Sequence, residues 1–128
     1  MTTSPAYLPA SPGLPFSRAV RAGGFLWLSG QIPLDADHKP HGGTIEEQTH
    51  AVLQSISATL EGLGSSLHRV VKTTVWLSDL ANFAAFNQIY MRYFQEGALP
   101  ARSLVAAKLV FGVAVEIEVL AIDDSVSP

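Results

Sequence analysis

TIEEQTHAVLQSISATLEGLGSSLHRVVKTTVWL, residues 44–77, carries the two periodicities that decide the fold. In its first half Ile45, Thr49, Val52, Leu53, Ile56, Leu60 and Leu63 recur at helical spacing and form one apolar stripe, which Gly62 and Gly64 end. Thr44 with Glu47 three residues on is a capping-box pattern, each side chain accepting from a backbone N–H left unpaired at a helix start. In the second half the chain turns β-branched and alternating. Val71, Thr73, Val75 and Leu77 share one face of a predicted strand; Val70, Lys72, Thr74 and Trp76 share the other.

Outward from this helix–strand unit, residues 17–22 and 25–29 are short apolar-leaning runs divided by Gly23 and Gly24, and read as a β-hairpin. Residues 1–15, rich in Pro and Ser, read as an extended arm, and residues 33–43 as a surface loop. Downstream, a second helix over 83–94 buries Phe83, Phe86, Tyr90 and Tyr93 or Phe94, with Asn82 or Asp79 as possible caps. Two strands follow, over 102–109 and 113–122. The expectation is one α+β domain over 16–124 in the order ββαβαββ, with a tail at 125–128.

In the last strand Val113, Val115, Ile117, Val119 and Ala121 share the face that two helices would cover. The other face carries Leu120 and Ile122 beside Glu116 and Glu118, and neighbouring strands add tryptophan. Two helices cover one face of such a sheet, so self-association is the simplest cover for the second.

Composition narrows the function. With 128 residues, 48% of them apolar and 15% charged, the chain fits a single packed domain rather than a disordered one. It has no cysteine, which removes disulfides, thiolate zinc sites and cysteine nucleophiles and leaves the cytoplasm as the expected location. The first residues do not read as a secretory signal, and the apolar run 109–122 is too short to span a membrane. A formal charge of −3 disfavours nucleic acid as a partner. His38, His41, His50 and His68 show no metal-ligand spacing, and GxSxG, GxGxxG and P-loop motifs are absent. Chemistry without a cofactor or metal is therefore expected.

The candidates for that chemistry are few. A carboxylate on a buried sheet face costs free energy unless paired or solvated by a cleft, so either Glu116 and Glu118 face water or one of them lines a site; spacing does not separate the two. Arg102, after Pro100 and Ala101, could offer a planar fork to a carboxylate, although a structural ion pair is the plainer reading from the residues alone.

Taken together, FLWLSGQIP (25–33), the stretch 44–80, FNQIY (86–90), PARS (100–103) and VEIEVLAI (115–122) resemble the RidA/YjgF family, also called the endoribonuclease L-PSP family. The similarity runs colinearly over about residues 15–123. It implies a chorismate-mutase-like fold, with a mixed, mostly antiparallel sheet and two helices on one face. It further implies a homotrimer with sites in clefts between subunits, and hydrolysis of 2-aminoacrylate or 2-iminopropionate to a 2-keto acid and ammonia. By matching motifs, Arg102 takes the place of the carboxylate-binding arginine and Glu116 that of the catalytic glutamate, with Glu118 structural. Backbone N–H groups near Gly30 and Leu104 take the place of those that hold the ligand, with Ser29 and Asn87 lining the cleft. Phe16 stands where the deaminases have a tyrosine, Leu104 replaces a frequent cysteine, and the 102–116 segment is about one residue short. Alternative readings are a non-catalytic carboxylate-binding trimer and, below it, an endoribonuclease or translation inhibitor. A chorismate-mutase-like isomerase ranks last, because a single arginine suits a dicarboxylate poorly.

Overall fold

The capping box forms as its residue types require. In the computed structural model, which describes residues 4–125, the Glu47 amide donates to Thr44 Oγ1 (3.1 Å) and the Thr44 amide to Glu47 Oε1 (2.9 Å), opening helix α1, Ile45–Gly62. Its buried stripe is Thr49, Val52, Leu53, Ile56 and Leu60, with Gln48 added. Gln48 is buried because both ends of its amide are used, Nε2 donating to the Gly43 carbonyl and Oε1 accepting from the Ala114 amide, each at 2.8 Å. It ties the start of α1 to the start of the last strand.

The hairpin is present as β2 (Ser17–Ala22) and β3 (Phe25–Leu28), with Gly23 and Gly24 at φ +64° and +84°, angles that a two-residue turn needs and glycine supplies freely. Part of the expected arm is also ordered in the sheet: β1, Ala6–Pro9, pairs antiparallel with β2. After α1 come β4 (Val70–Leu77), helix α2 (Phe83–Tyr90), β5 (Ala101–Ala106) and β6 (Val115–Ile122). The order is thus βββαβαββ, one strand more than the sequence suggests. Residues 126–128 of the expected tail lie outside the described residues.

The sheet runs β1-β2-β3-β6-β4-β5, antiparallel except for the parallel β4–β5 pair, and α1 and α2 pack on one face. Between them lie Leu26, Leu28, Val75, Leu77, Val115, Ile117, Val119 and Ala121. In β4 the expected alternation fails at one point: Val70 pairs with Ala121 and Lys72 with Leu120, so Val71 is an extra, bulged residue. Val70 therefore turns into the core and Val71 to the surface, the reverse of the simple reading.

α2 ends at Tyr90 rather than continuing to Phe94, although Phe94 is still buried by the turn beyond it. Phe83 is half-exposed and Ile89 is buried instead. Asp79 caps the short 3-10 turn before α2 by accepting from the Ala81 amide, while the Asn82 side chain makes no cap bond. On the other side of the sheet Trp27 and Val105 remain 48% and 50% exposed, an apolar surface that the described residues do not cover.

Candidate active site

Arg102 lies on edge strand β5 in register with Thr73 of β4, on the face covered by the helices. The spacing of Phe83, Phe86, Asn87 and Tyr90 puts all four on one side of α2, looking at that edge. Arg102 Nη1 donates to Asn87 Oδ1 at 2.8 Å. The guanidinium carbon sits 4.9 Å from the Tyr90 ring centre and 5.9 Å from those of Phe83 and Phe86, a cation–π arrangement. A cleft of about 340 Å³ opens beside it, lined by Asn87, Tyr90, Met91, Leu99, Pro100 and Arg102. Leu104, two residues along β5, is partly buried against the core on the same face.

Glu116 belongs to a different surface. It stands in β6 between Val115 and Ile117, both fully buried under the helices, so its own side chain projects from the opposite face. Gln31 and Ile117 exchange backbone hydrogen bonds of 2.8 and 3.0 Å, which brings Gly30 alongside Glu116. A Cβ on Gly30 would collide with the Glu116 carboxylate, so glycine here makes room for that group. Burial pushes the Glu116 carboxyl above the usual glutamate range, with the charge of Glu118 adding to the shift. Ser29 Oγ donates to the Ser17 carbonyl at 2.6 Å, and Phe16, Ser29 and Gly30 line a second cleft of about 230 Å³ together with Gln31.

The seven residues singled out in the sequence thus form two groups. Arg102, Asn87 and Leu104 gather at the β5 edge; Phe16, Ser29 and Gly30 gather elsewhere, with Glu116 joining them at Gly30. Within one chain the arginine and the glutamate do not share a pocket, because β4 separates their strands and they project from opposite faces. Sequence reasoning took Tyr90 for core and missed Met91, Leu99 and Pro100 as neighbours of Arg102. The 83/86/87/90 spacing was the available signal for Tyr90. Of the histidines, His50 hydrogen-bonds the Tyr93 hydroxyl at 2.7 Å, and among the described residues no cluster of His, Asp or Glu could hold a metal.

The family model described as Endoribonuclease L-PSP matches residues 9–123. The chain belongs to the RidA/YjgF family. It is 44% identical over 109 residues to a RutC family protein of Pyrococcus horikoshii, covering 84% of this chain and 86% of that one. The mitochondrial protein MMF1 of Saccharomyces cerevisiae is 41% identical over 109 residues, covering 84% and 74%. Among solved structures, a Rid-family protein of unknown function from Yersinia pestis superposes with a TM-score of 0.85 at 36% identity, covering 93% of this chain and 99% of that one. RidA from an Antarctic Psychrobacter gives 0.79 at 34% identity, covering 91% and 94%. The yeast relative is named as mitochondrial, and among the described residues of this chain no helix is long and apolar enough to cross a membrane.

Proposed function

We propose that this Rid protein is a hydrolase of 2-imino and 2-enamino acids of the 2-iminopropionate and 2-aminoacrylate type, acting as a homotrimer in clefts between copies. The observation that carries the reading is the division of the site. A braced guanidinium lies on one face and edge of the sheet, and a carboxylate with a raised pKa lies on the other face, beside apolar surface that the described residues leave uncovered. A second copy that covers this surface can bring its own Arg102 to the first copy's Glu116.

In such a cleft Arg102 holds the substrate carboxylate through a two-pronged, charge-assisted pair and so fixes the imine carbon. The Glu116 carboxylate takes a proton from water as the water oxygen bonds to that carbon, and the imine nitrogen takes up a proton. The resulting carbinolamine loses ammonia as its hydroxyl becomes the carbonyl, the proton held by Glu116 leaving with the nitrogen and the hydroxyl proton returning to the solvent that protonated the imine. One imine and one water give one 2-keto acid and one ammonia, with no redox change and no cofactor. The pKa direction suits the part, since a carboxylate whose pKa is raised by burial is a stronger base than an ordinary glutamate.

Ammonia release from freshly generated 2-iminopropionate tests the reading. Wild type should exceed both the uncatalysed rate and Arg102→Ala; equal rates for wild type and variant would remove the enzymatic proposal. Phe16 keeps one competitor in view, because a phenyl ring offers no hydroxyl to substrate or water. Tight binding of a 2-keto acid without turnover would instead favour a ligand-binding trimer.

A further inference from the structure

Tyr90 is 4% exposed, and a buried hydroxyl must have a partner; here it is Thr73, itself fully buried, at 2.8 Å. The tyrosine ring is flanked by Phe86 (centroids 5.4 Å apart) and Phe94 (4.7 Å), so its plane is set from both sides. Thr73 is also the β4 residue in register with Arg102, and the Arg102 guanidinium lies over that same ring. A phenylalanine at 90 with a valine at 73 would fill the same space without either hydroxyl. What the hydroxyl adds is a tether that stops the ring from sliding or tilting under the charge above it.

We infer that Tyr90 is a positioning residue for Arg102: its ring, tied through its hydroxyl to Thr73, is the platform that aims the guanidinium into the cleft. This rests on the reading of Arg102 as the carboxylate-binding group. With Asn87 restraining Nη1 from the side and the Tyr90 ring supporting the plane from below, the fork is held in place before a ligand arrives. Less of its rotamer freedom is then lost on binding. The plain structural alternative is that Tyr90 is a core aromatic whose hydroxyl merely happens to be satisfied.

Two variants of the full chain separate these cases, read by calorimetric binding of 2-oxobutanoate and by thermal unfolding. The double change Thr73→Val with Tyr90→Phe removes both hydroxyls and keeps both shapes, so stability should stay near wild type. Binding of 2-oxobutanoate should nevertheless weaken severalfold, because the platform loses its tether. Tyr90→Leu removes the platform and should weaken binding about tenfold, the scale of a partly desolvated cation–π contact. Wild-type affinity in the double variant, at unchanged stability, would overturn the inference. So would a folded Tyr90→Leu protein that binds as wild type does. A wild type that binds 2-oxobutanoate but releases no ammonia from imines would leave the platform standing and remove the deaminase reading alone. A wild type that binds no 2-keto acid would remove both.

Discussion

The surroundings of Arg102 and Glu116 differ in who supplies them. Arg102 is braced by its own chain: Asn87 takes one N–H, Tyr90 lies beneath the guanidinium, and α2 delivers both. Glu116 accepts no hydrogen bond from another described residue, and its raised pKa records burial beside Glu118 without a compensating cation. On the proposed reading, the binding half of the site is built by folding of one chain, whereas the chemical half would be completed by another copy that brings substrate to it.

The sharpest way to break this contrast is to remove the braced group. Arg102→Ala should lower kcat/KM for imine hydrolysis on the order of a hundredfold, and Arg102→Lys should recover little, since an ammonium cannot reproduce the planar fork. Steady-state ammonia release checks both, and near-complete rescue by lysine would refute the two-pronged contact. Gly30→Ala probes the other half. The added methyl meets only the movable end of Glu116, so thermal stability should change little, while displacement of the base should cost roughly tenfold in kcat. A large drop in unfolding temperature would show instead that Gly30 serves the backbone.

A third experiment asks about the price of the raised pKa. A carboxyl whose folded pKa lies above its unfolded value favours folding when protonated, and this contribution fades as pH rises through the folded pKa. The ionised form of Glu116 therefore opposes folding, and Glu116→Gln should abolish turnover while leaving the protein as stable as wild type or slightly more so. Denaturation at pH 7 that shows clear destabilisation would contradict the assignment. The smallest effect is expected from Glu118→Gln. Removing the neighbouring charge should move the acidic limb of the pH–rate profile to lower pH. A limb that stays in place would make burial the whole cause.

Much of this architecture was legible in the residues because it is local. Thr44 and Glu47 announce the start of α1, and the stripe from Thr49 to Leu60 announces its buried side. Ala6–Pro9 read as an arm because a four-residue edge strand depends on the partner it finds. Val70 and Val71 were assigned to the wrong faces because a bulge depends on register with β6 and leaves no mark in β4 alone. At the candidate site, family motifs pointed to Arg102 and Glu116 as candidates, but their placement on opposite faces follows from the relative register of β5, β4 and β6, which no stretch of sequence states. Tyr90 was hidden in plain view: a tyrosine in an apolar stripe looks like core until its hydroxyl partner and the cation above it are known.

Mixing two inactive variants tests the central claim most directly, because a site shared between copies can be rebuilt from one intact arginine and one intact glutamate. Arg102→Ala and Glu116→Gln proteins, dissociated together and reassembled in equal amounts, should recover about a quarter of wild-type ammonia release, the fraction of neighbouring pairs in a mixed ring that restore both groups. Mixed assemblies verified by mass spectrometry that remain as inactive as either parent would contradict it.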